Sequence, residues 1–498
     1  MASLIPTQPR RIAPQSLFTF VREKYNLGKV FYMDTWPFGP PIMVVSDPAI
    51  SDQFTVKQSL PKHPLTEDFT EPLGGRMNLV TYYGQQWKTW RSAFNPGFSF
   101  AHLMTMVPGI VDDVSVFCEI LEQKARTNEL FRLEKHATRL TIDIILKVVL
   151  DLRVDSQRGE NELVSAFESQ VRWLPRGAMF NPLELINIFR PIVLRWNKRR
   201  MDTYLTKELE KRFATRGSRG KTKHVIDLAL ETYWKENKSA KEQTGMTNPL
   251  LDRTFKRAAL DNIEIFIFAG HDTSSSVICY ALYHLSRNQD VLDAVRKEHD
   301  EVFGTDVAIT ADAIKENPHL ISKLDWTLAV IKEALRLHPP ASTVRIGNKD
   351  FFVTDPETNE RYTTDHFMLF PGNINLHYNA DLWGDPKVFR PQRWLTHAPP
   401  PEGAHREAFV GFSKGNRNCI GQELALIEIR IVLAMTVRRF DFKAAYDELD
   451  KLRNDNSGYP SDTTGVQTQF GEQAYQIQIG TAKPREGMPC RVSLRNTQ

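Results

Sequence analysis

Residues 409–426 read FVGFSKGNRNCIGQELAL, which sets Phe412, Gly415, Arg417, Cys419 and Gly421 at fixed spacings just ahead of an amphipathic run. A lone cysteine is usually a small buried hydrophobe. Its neighbours here point to other chemistry. Glycines let a backbone approach a flat ligand closely, and the N-terminus of a following helix stabilises negative sulfur. An arginine two residues before the sulfur can pair with a ligand carboxylate, and Phe412 can shield a thiolate from water. The pattern is that of a thiolate bound to a large planar metal cofactor, with haem iron as the candidate.

A second constellation is AGHDTS, residues 269–274, set in the middle of a long apolar run. A glycine, an acid and a hydroxyl there weaken a purely structural helix, so a functional cause is expected. The competing reading makes Asp272 a paired core acid and lets the Thr273 hydroxyl bond back to the Ala269 carbonyl. Two shorter patterns carry charge. KEALR places Glu333 and Arg336 three apart on one helix face, and WKTWR places Trp87 and Arg91 four apart on another.

These residues need elements to position them. The run from Leu251, LDRTFKRAALDNIEIFIFAGHDTSSSVICYALYHLSRNQ, predicts a helix of some ten turns. Helical spacing also predicts helices over 107–126, 134–151, 160–174, 189–213, 290–303, 325–338 and 419–439. Strands are predicted in KVFYMDTW and PIMVVSD, between residues 350 and 375, and as a pair in YQIQIGTAKPREGMPCRVSL. The polar stretch from Arg216 reads as a loop. No internal repeat is present, so one mainly helical domain is expected.

The 498 residues are 41% hydrophobic and 25% charged, which excludes disorder of the whole chain. A net charge of +4 without a concentrated basic tail argues against a nucleic-acid partner and fits an acidic protein surface or an anionic membrane. The four cysteines form no C-x-x-C pair, so no zinc site or disulfide framework is expected, and the compartment implied is intracellular and reducing. Proline and arginine interrupt the first 30 residues, which read as a segment without a transmembrane anchor ahead of one domain over 31–498. Glu264, His271, Asp272 and His284 make membrane insertion of the long apolar helix costly, so it reads as a buried helix.

Taken together and in this order, the motifs resemble the cytochrome P450 family from about residue 80 onward. The resemblance implies a mainly α fold with small β-sheets, with haem buried between the long helix and the cysteine loop. It implies Cys419 as axial iron ligand, with Phe412, Gly415 and Gly421 shaping its loop. Trp87, Arg91, Arg345 and Arg417 become contacts to the haem propionates, with His377 a further candidate. Glu333, Arg336 and Arg393 of FRPQRW form a structural lock, although Gln392 stands where a glutamate is usual. Asp272 and Thr273 are cast as the proton-handling pair, with the helix hydrogen bonding loosened at Thr273.

The same resemblance implies a haem-thiolate monooxygenase acting on O2 and a small apolar organic substrate, in a pocket lined by Ile265, Phe266, Ala269 and the segment near Phe470. Electrons would come from NADPH-cytochrome P450 reductase, because no dinucleotide fingerprint is visible; Lys88, Lys414 and Arg438 are the expected docking cations. Tail phrases look most like filamentous-fungal members that make secondary metabolites, and association with the endoplasmic reticulum follows by the same likeness. AMFNPLELINIFRPIVLRWNKRRM, from Ala178, is either a lid that touches a bilayer or an ordinary packing helix. A reductase-independent haem-thiolate isomerase or dehydratase is the alternative, against which Asp272 and Thr273 argue. A haem-based sensor is a third reading, for which an output module would be expected.

Overall fold

The apolar periodicity after Leu251 becomes one unbroken helix, Arg253–Arg287, and the rest of the protein is arranged around it. In the computed structural model the described residues are 12–36, 39–175, 186–214, 224–231, 253–395, 407–451 and 468–495. The loop expected from Arg216 lies almost wholly outside them, as do the first eight residues of the stretch from Ala178. Among the described residues the long helix alone is long and apolar enough to cross a membrane by composition. Its burial makes it the central core helix instead: from Ala258 to Leu285 every residue is buried except Ala269, Gly270 and Thr273.

The helix Leu133–Leu150 lies along it. A Cβ on Gly270 would stand 2.9 Å from the Ile145 side chain, so that glycine permits the close approach of the two helices. Thr141 Oγ1 donates to the His271 carbonyl at 2.9 Å across the same contact.

The other helical spacings are realised within a few residues, as Val107–Thr127, Glu162–Arg172, Arg190–Ala214, Gln289–Phe303 and Asp325–Leu337. The expected helix from Cys419 starts later. It runs Gln422–Thr436, with Gly421 as its N-cap, so Cys419 stands in the turn before the helix.

Strands β1 (Val30–Met33) and β2 (Ile42–Val45) pair antiparallel. β3 is Phe131–Arg132, β4 is Arg345–Ile346, β5 is Phe352–Thr354, β6 is Arg361–Thr363 and β7 is Met368–Pro371. β7 joins β2 in parallel and β4 antiparallel, giving a four-stranded sheet in the order β1-β2-β7-β4. The C-terminal segment makes three strands where a pair was expected. β9 (Gln476–Ile479) and β10 (Thr481–Pro484) form a hairpin, while β11 (Pro489–Leu494) joins β8 (Phe440–Ala444) and β3.

The helix Pro14–Tyr25 buries Leu17, Phe18 and Val21 against the first sheet, where the Phe18 and Phe370 rings meet edge-on at 4.9 Å. This segment before residue 30 thus packs on the sheet of the body through one helix.

Behind the cysteine loop, Glu333 and Arg336 are both fully buried. Arg336 grips the carboxylate through two nitrogens at 2.8 and 2.9 Å, Arg393 Nε reaches it at 3.2 Å and Trp394 Nε1 at 2.9 Å. Burial pushes the Glu333 carboxyl up, but the two guanidinium groups outweigh it and hold it below its usual range. His377 belongs to this scaffold: its Nδ1 bonds the Arg336 carbonyl at 2.8 Å, and its Nε2 accepts from the Val410 N–H at 3.0 Å. Both ring nitrogens being used, His377 has none left for a propionate. Glu333→Gln leaves two buried guanidinium groups without their anion, so unfolding of the variant in denaturant is expected at about 3–5 kcal/mol lower stability.

Candidate functional site

The long helix shows its three less-buried residues, Ala269, Gly270 and Thr273, to a cavity of about 320 Å³. The loop that carries Cys419 forms another part of its wall. This loop is set by two residues with positive φ, Ser413 and Gly415, by a 3-10 turn over Gly415–Arg417, and by the Cys419 N–H bond to the Phe412 carbonyl at 2.9 Å. A side chain at position 415 would also press on Val56, whose Cα stands 3.3 Å from the site of its Cβ.

Protein surrounds the Cys419 side chain, yet its surface is open to the cavity. Burial raises its thiol pKa, while the Gly421 N–H and the Arg91 charge pull it down. This is a sulfur supplied with a backbone donor and a helix N-terminus on one side and open space on the other.

Cations gather at one side of the cavity. Arg417 and Lys62 line it, and Arg345 stands beside Lys62 through a β-bridge between the two residues. Burial and mutual repulsion depress Lys62 well below the usual range for lysine; Arg417 falls to about 10 by burial and the Arg345 and Arg91 charges, and Arg345 to about 10 by burial. Among the described residues no carboxylate contributes to any of the three. Arg345 Nε and Nη2 are buried without a hydrogen-bond partner among the described residues. Such a cluster is short of negative charge. A planar cofactor that carries carboxylates, with a central metal that a thiolate can ligate, fits the chemistry of this lining.

Lys62 was not found by sequence reasoning. It is an unremarkable residue in SLPKHPL, and only the pairing with β4, more than 280 positions away, brings it to the site.

The other expected residues separate into two groups. Phe412, Arg417, Cys419 and Gly421 line the cavity with Phe266, Ala269 and Thr273. Trp87 stacks under Arg417, whose guanidinium carbon lies 4.4 Å from the ring centre. Arg91, whose charge acts on Arg417, donates to the Asn418 carbonyl at 2.8 Å and to Asn418 Oδ1 at 2.9 Å, gripping the residue before the cysteine. Ile265 is not on the wall, because it packs on Gly74 of the helix Pro64–Gly74. Phe470 is also elsewhere, against Tyr378 at 5.4 Å and under Lys387.

Thr273 Oγ1 donates to the Ala269 carbonyl at 2.7 Å, and the helix is continuous α through this point, where loosened hydrogen bonding was expected. Asp272 is directed away from the cavity. Lys483 of β10 forms an ion pair with its Oδ1 at 2.5 Å, and the Thr481 N–H donates to its Oδ2 at 2.7 Å. Burial would raise this carboxyl, but Lys483, His271 and the hydrogen bonds prevail and lower it. Lys483 also holds Glu134 at 2.5 Å.

Of the expected docking cations, Lys88 is exposed, Lys414 is paired with Asp52 at 3.2 Å, and Arg438 is buried on Asp300 at 2.9 Å and cannot serve a docking face.

A family model described as Cytochrome P450 matches residues 5–468. The chain is 40% identical to cytochrome P450 monooxygenase polC of Polytolypa hystricis, over 95% of this chain and 83% of that one. It is 37% identical to cytochrome P450 monooxygenase acrF of Aspergillus aculeatus, over 97% and 98% of the two chains. A crystal structure of a cytochrome P450, CYP102L1, superposes with a TM-score of 0.74 and 21% identity, covering 99% of this chain and 96% of that chain. With the fold, the thiol facing a cavity and the relatives in agreement, the chain belongs to the cytochrome P450 family and is a haem enzyme of the monooxygenase class.

Proposed function

We propose that the chain inserts one oxygen atom from O2 into a small apolar organic substrate in a fungal secondary-metabolite pathway, with Cys419 as the iron ligand. The observation that carries the reading is a thiol open to a mostly apolar cavity that a threonine of the long helix also lines. Haem bound through a thiolate supplies the electron density that favours O–O cleavage. The protein's part is to hold and shield. Gly421 N–H and the helix start at Gln422 stabilise the sulfur's negative charge, and Phe412 covers it from water. Arg345, Arg417 and Lys62 receive the two propionates, and Trp87 holds the Arg417 guanidinium by its ring face. Phe266 and Ala269 give the substrate an apolar wall, and the Thr273 hydroxyl is a polar group on the same cavity for water or dioxygen.

Two electrons come from a separate flavin-containing NADPH reductase. Lys88 is the member of the expected docking set that is exposed and has no ion-pair partner among the described residues. Contact with a membrane surface is proposed at the start of the helix Arg190–Ala214, where Ile188, Phe189, Ile192 and Trp196 are more than half exposed and Arg195 and Arg199 stand among them. Such a surface belongs on an endoplasmic-reticulum membrane.

In the reduced, CO-bound protein a red-shifted thiolate Soret band is expected, and Cys419→Ser is expected to lose it while haem can still occupy the cavity. Survival of the band in that variant would remove Cys419 as ligand. Lys62→Met separates cofactor binding from folding. Haem affinity should fall about tenfold with loss of one charge-assisted hydrogen bond, whereas the apoprotein should melt no lower, because a repelled cation has been removed. Haem titration and thermal melting of the apoprotein measure the two effects.

A further inference from the structure

Asn262 is a polar residue in the apolar stretch of the long helix, fully buried and outside the lining of the cavity. Its side chain is used on a segment far away in sequence. Oδ1 accepts from the Leu79 N–H at 3.0 Å, while Nδ2 donates to the Met77 carbonyl at 3.1 Å and to the Ala258 carbonyl of its own helix at 2.7 Å. An amide that takes one N–H and gives to a C=O two residues away does for this segment what a neighbouring strand would do. The residue before it repeats the hold. Asp261 Oδ2 accepts from the Met77 N–H at 3.0 Å, and Arg257 pairs with its Oδ1 at 2.5 Å.

The segment itself is shaped for this contact. Gly75 has a φ of +58°, and a Cβ there would collide with the Asp261 carboxylate. Asn78, fully buried, fastens the turn from inside by donating to the Gly75 carbonyl at 2.9 Å and accepting from the Val80 N–H at 2.9 Å. Beyond the turn the segment meets the cavity. Val80 lines it, and the Leu79 carbonyl accepts from Arg417 Nη1 at 3.3 Å. Among the described residues that carbonyl is the only acceptor of a hydrogen bond from Arg417, whose other support, the Trp87 ring, offers a face and no acceptor. Leu79 therefore carries the bond from Asn262 on its N–H and the bond from Arg417 on its C=O.

We propose that Asn262 is a positioning residue for the cofactor's carboxylates: through the Met77–Leu79 segment it aims the Arg417 guanidinium and so joins the long helix to the cation cluster. The proposal rests on the haem reading of the cavity. Asn262 touches neither cofactor nor substrate, and its effect passes through one backbone unit to one charge.

The test is a double-mutant cycle in the full chain. Haem is titrated into the apoprotein of the parent, Asn262→Leu, Arg417→Met and the double variant, with haem dimethyl ester titrated alongside. Asn262→Leu frees the segment and leaves Arg417 in place in the sequence. Its haem affinity should fall about fivefold to tenfold, while affinity for the ester, which offers no carboxylate, should stay within about twofold of the parent. Hydrogen exchange at the Met77 and Leu79 amides should quicken. In the Arg417→Met background the same substitution should change haem affinity by less than about twofold.

An equal loss for haem and ester, or an undiminished loss in the Arg417→Met background, would mean that Asn262 supports the fold in general and would overturn the proposal. Parental haem affinity in Asn262→Leu would overturn it as well. Should Asn262→Leu fail to fold, Gly75→Ala displaces the same segment from the Asp261 side and carries the same expectations, with the same results against it. Absence of the thiolate Soret band in the reduced, CO-bound parent would instead be the failure of the haem reading beneath it.

Discussion

Three cations drawn together in a low-dielectric setting without an anion are the constraint on which the site depends. Burial depresses Lys62, Arg345 and Arg417 alike, the Arg345 charge adds to this at Lys62 and at Arg417, and no carboxylate among the described residues answers them. Charges buried without partners cost several kcal/mol each unless neutralised or paired. The protein accepts this cost at one location only because the counter-charge arrives with the cofactor, so binding energy and fold energy are joined there. The thiol that lines the same cavity has a helix start and the Gly421 N–H beside it, which suit a negative sulfur.

Elsewhere the same chain balances its buried charges internally. Glu333 is answered by Arg336 and Arg393, and Asp272 by Lys483, which also holds Glu134. The contrast separates structure from site. The first lock fixes the segment that backs the cysteine loop, through His377 and its bond to Val410, and the second pins a C-terminal hairpin on the long helix. Both carry residues that look catalytic in isolation, and both are closed networks with no group directed at the cavity.

Much of this was legible in the sequence because it is local. Helical spacing gave the long helix and its neighbours to within a few residues, and the order of Phe412, Gly415, Arg417 and Cys419 encodes a loop whose hydrogen bonds span only a few positions. What escaped depends on distant pairing. Lys62 reaches Arg345 by a bridge between strands, and Lys483 reaches Asp272 across 211 positions, so neither spacing carries a signal. Phe470 and Ile265 were assigned to the pocket by position along the chain, but side-chain direction places one on Tyr378 and the other on Gly74. Glu428, a buried acid on the cavity wall, did leave a trace, standing inside the apolar run ALIEIRIVLAM as a break in pattern that could have marked it.

The measurement that bears most directly on the cation cluster is titration of the apoprotein with haem and, in parallel, with haem dimethyl ester, which keeps the iron and the ring but has no carboxylates. If the unpaired cations define the site, the ester should bind about 100-fold more weakly and raise the melting temperature far less than haem does. Equal affinity and equal stabilisation by the two would contradict the idea that Lys62, Arg345 and Arg417 are held for the propionates.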